Sequence, residues 1–373
     1  MKKILLLSVA ATLICSLSFA TIRRVGYPGT FRANVDYTTF QEAHDAASNN
    51  DTIQIYGNVG SGNVTKPLVI LGFGYNFDVN TGLQVIGIDM PSNISLSFHE
   101  GSNGSIVTGL AGNFSINPWD PTSNIGGAGV SNITFNRCIL NIYLNNYSVG
   151  SIGLDGGPIS NIKIYSSVIH SLGMYASDPT AKPITNLQVY NCIIRTATLH
   201  KAGTSAAFIN CSGPTQVGGY TYPYLTLNDA GCLIKNCILF VSNAAANVNT
   251  IYENNFFAEE QPLIIVPGGN NRWSQDWGLI FNRLGGTSDN PSVFELAEFD
   301  EDYFVLKAGS PAINGGFNAA SQPTNCGIYG GEAAYIYKLS GVPAVPAIYQ
   351  LNAPSLNTGP NPYNVTISVR SNN

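Results

Sequence analysis

A ten-residue phrase recurs through the middle of this chain and limits the available folds more than any other feature. It reads SNITFNRCIL over 131–140, SNIKIYSSVI over 160–169 and TNLQVYNCII over 185–194. Shorter copies end in Asn210-Cys211, in Lys235-Asn236-Cys237-Ile238-Leu239 and in Asn254-Asn255-Phe256-Phe257. The eighth position falls at Cys138, Ser167, Cys192, Cys211, Cys237 and Asn255, with gaps of 29, 25, 19, 26 and 18 residues. A fixed core at variable spacing is what a solenoid writes, because each coil stacks on the last and insertions go to loops.

Within the phrase, positions 3 and 5 are apolar around a polar position 4, the alternation of a half-buried strand. Positions 8 and 10 resume the inward face after a bend at positions 6 and 7. Asn136, Asn191, Asn236 and Asn254 lie at or beside that bend. Asparagine tolerates left-handed backbone, and its amide can pair with the bend above, so these residues are expected to be architectural.

The chain opens like a signal peptide: Lys2 and Lys3, a short apolar run from Ile4 to Leu17, then Ser18-Phe19-Ala20 with small residues where a signal peptidase reads. The run is shorter than the ~20 residues a membrane span needs, and bulky Ile14 before Cys15 does not fit a lipoprotein site. No later stretch is apolar enough to span. The expectation is an exported chain beginning near Thr21 and residing outside the cytoplasm.

Without the two leading lysines, 15 basic and 22 acidic residues leave a net charge of −7. That disfavours nucleic acid and anionic membranes as partners. Charged residues are only 10% of the chain, against roughly 25% in a typical domain. Stacked coils explain the deficit. Equivalent side chains lie about 4.8 Å apart, where like charges repel by roughly 1 kcal/mol even in water. Neutral Asn and Thr columns hydrogen-bond instead.

Six cysteines follow the leader: Cys138, Cys192, Cys211, Cys232, Cys237 and Cys326. Cys138, Cys192 and Cys237 share one repeat position beside apolar neighbours, which favours buried free thiols over disulfides. Cys192 with Cys211 is the pair to check. Cys232 and Cys237 lack the second pair or nearby His that a metal site requires, so no metal is expected there.

Residues 21–34 read as an irregular lead-in. A helix is expected from Phe40, with Thr39 and Glu42 as a capping box and Phe40, Ala43, Ala46 and Ala47 on one face. A strand follows at 52–56, and the helix is expected to cover the open end of the stack. Short strands are expected at 68–71, 83–88, 94–98, 106–110 and 114–116. Trp273, Trp277, Ile280 and Leu284 are spaced as on a helix over 272–283 packed on the flank. The tail is Pro-rich and ends in an alternating strand at 365–369.

The Phe40-x-x-Ala43 helix with its Asp51-Thr52-Ile53-Gln54-Ile55 strand resembles the amino-terminal cap of the pectate-lyase-like superfamily. The N-I-x-I-x-N-C-x-I coils resemble that family's rungs, and FVLKAGSPAI at 304–313 resembles the final coil of bacterial members. CGIYGG at 326–331 is similar to the stretch that follows, with Cys326 departing from the pattern. The resemblance covers most of residues 37–331 and has the look of exported Bacteroidota proteins. It implies an all-β, single-stranded right-handed parallel β-helix with a short capping helix and a Pro-rich tail. The expected division is a leader at 1–20, lead-in and cap at 21–60, β-helix at 61–316, and carboxy-terminal cap and tail at 317–373. The family includes lyases, hydrolases, adhesins and spikes, so the fold leaves the reaction open.

Hydrolases resembling this fold use clustered aspartates, and lyases use Ca²⁺-binding acids with an Arg or Lys base. Between residues 130 and 250 the acids are Asp155, Asp178 and Asp229, all between strands and none adjacent to another. The basic candidates are Lys163, Arg195 and His170, with Lys201, Lys235 and His200 behind them. Lys163 sits at an outward repeat position, while His170 and His200 follow rungs. Asp300, Glu301 and Asp302 offer oxygens to Ca²⁺ but read as a solvated turn. No cofactor is expected.

Aromatics in the loops point to sugar binding: Trp119, Tyr143, Tyr147, Tyr175, Tyr220, Tyr222 and Tyr224. The Tyr220–Tyr224 run could equally pack on a sheet flank. The leading expectation is therefore a non-catalytic, exported scaffold that binds a polysaccharide or surface glycan. A polysaccharide lyase or glycoside hydrolase is the alternative. A spike-like subunit oligomerising through the tail is the third.

Overall fold

The computed structural model describes residues 21–26, 35–75, 94–121, 127–145, 156–174, 182–199, 203–213, 225–227, 230–239, 241–242, 249–258, 268–282, 304–343, 347–352 and 365–370. The leader at 1–20, the strand expected at 83–88 and the acidic run ending at Asp302 lie outside them.

The described chain is all-β, with two long parallel sheets and a short third one, as a parallel β-helix solenoid builds. The longest sheet has eleven strands. It begins with Ile22–Gly26 (β1) and Thr52–Tyr56 (β2) and continues through Val69–Leu71, Ile106–Thr108, Thr134–Asn136, Lys163–Tyr165, Leu187–Tyr190, Ser205–Ile209, Gly231–Lys235 and Ile251–Glu253 to Gly268–Gly269. A nine-stranded sheet contains Ala111–Ile116, Ile139–Leu144 and Val168–Met174 at its centre. Val130–Ser131, Ile159–Ser160 and Ile184–Thr185 form the third. The chain visits the sheets in turn, and equal repeat positions stack: Thr134 pairs with Lys163 and Lys163 with Gln188.

The bend between the long sheet and the next strand is left-handed at one residue per coil: Arg137, Ser166, Asn191, Asn210, Asn236 and Asn254, with φ between 49° and 56°. This is position 7. Asn136 is one residue early and ends its strand, so Arg137 carries the bend there. A second left-handed column, Asn132, Asn161 and Asn186, turns the chain into the long sheet from the other side.

Position 8 follows the bend inward, and its residue type has a specific cause. At several coils the backbone N–H that follows the left-handed turn is accepted by a side chain of the following coil. Cys138 N donates to Ser167 Oγ at 3.1 Å, Cys211 N to Cys237 Sγ at 3.3 Å and Cys237 N to Asn255 Oδ1 at 2.9 Å. Each thiol in turn donates to a carbonyl, as Cys237 Sγ does to Phe208 O at 3.3 Å. All six cysteines are buried and free, Cys192 and Cys211 included. Burial pushes the Cys138 thiol up to about 12.

The core inside the coils is filled by positions 3, 5 and 10, and Phe98, Phe114 and Phe135 meet edge to face at 5.7 and 5.3 Å. A second apolar layer lies outside it. Ile139, Val168, Ile193, Ile238 and Phe256, at position 9, point away from the core yet are buried. Residues 316–343 cover them. This strap runs back along the bends, and one coil after another holds it. Asn236 Nδ2 donates to Phe317 O at 2.9 Å, Asn210 Nδ2 to Asn325 O at 2.9 Å, and Asn191 Nδ2 to Ile328 O and Gly330 O at 2.8 and 2.7 Å. Ser166 Oγ donates to Tyr335 O at 2.7 Å, and Arg137 Nη1 to Val342 O at 2.6 Å. The expectation that bend amides pair with one another therefore fails at these coils. It holds at Asn254, which accepts from Asn270 at 3.3 Å; the second column, for which no pairing was expected, also pairs, Asn186 Nδ2 donating to Asn161 Oδ1 at 2.7 Å.

Three further expectations are corrected. Residues 22–26 are a strand, β1, paired in parallel with β2. The helix Phe40–Ala46 (α1) has its capping box, but Ala46 is exposed and His44 is buried in its place, where its Nε2 accepts from Thr65 N at 3.1 Å. The helix expected over 272–283 is a single turn, Trp277–Ile280 (α2), because Ser274 is left-handed and Asp276 caps the turn at Gly278 N. The packing role of both tryptophans stands: Trp273 stacks on Phe257 at 4.4 Å, and Trp277 Nε1 donates to Gly213 O at 3.1 Å. Leu306, in the stretch likened to a final coil, makes an antiparallel bridge with Phe281. The tail strand is present as Thr366–Arg370, antiparallel to Ala347–Asn352.

Candidate functional site

Strand positions 4 and 6 of the long sheet face outward. On three successive coils they give Thr134 and Asn136, Lys163 and Tyr165, Gln188 and Tyr190. With the second column of left-handed asparagines they form an open groove of about 430 Å³, lined by Asn132, Thr134, Asn161, Lys163, Asn186 and Gln188. The lining is neutral apart from one ammonium. Alternation puts these side chains outside, and the stacking rule against repeated charge keeps most of them amides.

The amides form a directed chain. Gln188 Nε2 donates to Asn186 Oδ1 at 2.7 Å, and Asn186 Nδ2 donates to Asn161 Oδ1 at 2.7 Å. This orients all three and leaves the Asn161 amide nitrogen and the Gln188 side-chain oxygen with no partner among the described residues, a donor at one end and an acceptor at the other.

The strap forms the groove's aromatic border. Tyr335 stacks on Tyr190 with centroids 4.9 Å apart and planes at 14°, and meets Tyr165 edge to face at 5.4 Å. Lys163 Nζ donates to Tyr335 Oη at 2.9 Å and lies 4.8 Å from that ring's centroid and 5.9 Å from that of Tyr190. Burial, opposed by the nearby lysine, raises the phenols of Tyr165 and Tyr190 above the ordinary tyrosine range. Both rings are therefore neutral donors at physiological pH.

Of the catalytic candidates, Lys163 is in this groove. His170 is in a strand of the second sheet, Val168–Met174, and is buried rather than in a loop. Burial first, and then the charge of Arg195, lowers its pKa to about 4, so it is neutral at physiological pH. Neither His170 nor Arg195 lines the groove. Lys235 pairs with Glu253 at 3.2 Å. Asp155, Asp178, Asp229, Lys201 and His200 lie outside the described residues.

Of the aromatic candidates, Trp119 is half-buried, its ring edge-on to His99 at 6.1 Å and its carbonyl 3.1 Å from His99 Nδ1. Tyr143 is exposed on the second sheet, paired with Ser115. Neither lines the groove. Tyr147, Tyr175, Tyr220, Tyr222 and Tyr224 lie outside the described residues. The site's own aromatics, Tyr165, Tyr190 and Tyr335, were not singled out from the sequence. Two of them occupy repeat position 6, where tyrosine replaces the asparagine of the first copy, and that substitution is the available signal.

Among the described residues no group of three His, Cys, Asp or Glu is placed to hold a metal ion, and no helix is long and apolar enough to cross a membrane. Comparison with protein-family models, curated proteins and solved structures found no match.

Proposed function

We propose that this chain is an exported, non-catalytic, right-handed parallel β-helix of the pectate-lyase-like kind that binds glycans along the outer face of its long sheet. The observation that carries this reading is the groove itself: an oriented amide chain ending in one donor and one acceptor, a single ammonium, and a stacked tyrosine pair at the border. Sugars are bound by this combination, hydroxyl groups meeting planar amides and pyranose faces meeting aromatic rings. The coil spacing of about 4.8 Å is comparable to the length of one pyranose unit, so successive coils offer a similar donor and acceptor set to successive sugars. Among the described residues the lining holds no pair of carboxylates of the kind glycoside hydrolysis uses.

A glycan array probed with the purified chain tests this, with the Lys163→Ala/Gln188→Ala variant alongside. Retention of a defined oligosaccharide by the parent and its loss in the variant is the expected result. No retained glycan, or equal retention by both, would sink the reading. Release of shortened or unsaturated sugars by the parent would favour the enzymatic alternative.

A further inference from the structure

Among the described residues Asp51 carries the one buried carboxylate, and the groove makes no use of it. Its side chain is 4% exposed. Oδ2 accepts from Ser48 N at 2.9 Å and from Arg23 Nε at 3.2 Å. Oδ1 accepts from the backbone nitrogen of Thr21 at 2.8 Å. Burial alone would raise the pKa of this carboxyl, but the donors at Thr21, Ser48 and Arg23 outweigh it, so Asp51 is held below the usual carboxylate range and is ionised. Thr21 is fixed from its other side too, since Thr52 N donates to Thr21 O at 2.9 Å and opens the β1–β2 ladder at Ile22 and Thr52.

The nitrogen aimed at Oδ1 belongs to the residue that follows Ser18-Phe19-Ala20, where the small residues are spaced for a signal peptidase. The two observations are independent, one from side-chain geometry and one from sequence, and they meet on the same atom. We propose that the Ala20–Thr21 bond is hydrolysed on export and that the freed α-ammonium of Thr21 becomes the second cation of the Asp51 carboxylate, fastening the first strand of the stack. In that hydrolysis water supplies OH to the Ala20 carbonyl carbon and H to the Thr21 nitrogen, which then takes a proton from solvent. The nitrogen gains two donors and a positive charge, and a hydrogen bond from a neutral amide becomes an ion pair that is shorter and stronger.

Processing would thus complete the edge of the long sheet rather than only release the chain. β1 is the outermost strand of that sheet, with only Asp36 and Tyr37 bonded to its far side among the described residues. Edge strands are where opening and unwanted pairing begin. This inference does not depend on the glycan reading.

Mass spectrometry of the protein exported by a secreting host gives the first result: the mature chain should begin at Thr21, and any other first residue overturns the proposal. The second comes from hydrogen exchange of the β1 amides in the chain starting at Thr21, with its amine free or acetylated. Acetylation keeps one N–H and removes the charge, so exchange of these amides should speed up about threefold to tenfold. Unchanged exchange overturns the proposal. In an Asp51→Asn background acetylation should have no further effect, and an equal effect there would show that the amine acts elsewhere. Should that variant fail to fold, the acetylation result in the parent chain decides alone.

Discussion

Asn191 joins the two devices that hold this solenoid together, the left-handed bend and the strap. Its φ is 49°, its side chain is buried, and its Nδ2 donates to Ile328 O and Gly330 O at 2.8 and 2.7 Å. Asn191→Ala places an ordinary residue in the left-handed region, at about 1–2 kcal/mol. It also removes two hydrogen bonds worth about 1 kcal/mol each and strands two carbonyls. The sum is about 3–4 kcal/mol. Asn191→Gly is free of the conformational penalty but loses both bonds and adds backbone entropy, giving about 2–3 kcal/mol. Asn191→Asp keeps shape and backbone preference while turning a carboxylate toward two carbonyl oxygens, so it should be the worst of the three. The assay is urea denaturation with hydrogen exchange read at Gly327 and Gly330, whose amides report the strap separately from the coils. The expected order of loss is Asp, then Ala, then Gly. If Ala and Gly lose equally, the left-handed cost has been misassigned. If Asp behaves like the parent, the amide donors do not hold the strap.

Burial lowers the pKa of His170 to about 4 in the folded protein, against about 6.5 unfolded. The unfolded chain therefore binds the extra proton between these values, so stability is full above about 6.5 and falls as pH drops toward 4. His170→Gln should flatten this acid limb by no more than about 3 kcal/mol, leaving a residue from His44 and His99, which burial also lowers; an unchanged limb in acid-titration melts refutes the assignment. Cys237→Ser keeps an acceptor for Cys211 N and should cost little, whereas Cys237→Val leaves that N–H unpaired and should cost about 1–3 kcal/mol in urea melts. In the native protein none of the six buried thiols should react with a thiol-specific reagent until denaturant is added, and rapid labelling of Cys138 or Cys192 would contradict their placement.

The coils were legible because their signal is local and repeated. Alternation at positions 3 to 5 and small residues at position 8 each state a side-chain direction, and six copies average out their noise. The helix Phe40–Ala46 was legible from its capping box for the same reason, every partner lying within three residues. The bend falls within positions 6 and 7 as expected, but the residue that carries it is harder to name, because the first copy has Asn136-Arg137 where later copies have Tyr190-Asn191 or Lys235-Asn236. Composition pointed to asparagine where register pointed to Arg137. The strap escaped because its partners are 81 to 205 residues away and its own sequence has no period. A trace of it was nonetheless present. Ile139, Val168, Ile193, Ile238 and Phe256 put apolar side chains at position 9, which alternation sends outward, and five apolar residues in one outward column require a cover. Only half of the site was readable in the same way. Lys163 stood out as an outward charge, but the ring it contacts arrives from Tyr335, 172 residues later.

The strap also ties the groove to the stability of the stack. Tyr335 is held over Tyr190 and Lys163 because Ser166 Oγ binds its carbonyl, and because Asn191 fixes Ile328 and Gly330 a few residues before it. Neither contact touches the groove lining. If the tyrosine border takes part in binding, a variant that loosens the strap should weaken glycan retention without altering any lining residue. Asn191→Gly, the mildest of the series, is the right probe, since its coils should stay folded. It should lose affinity for any glycan the parent retains, and that glycan should in turn slow exchange at Gly327 and Gly330, because coupling between two events is reciprocal. A variant with a loosened strap and undiminished binding would assign recognition to the amide chain and Lys163 alone, with Tyr335 serving only to cover the sheet.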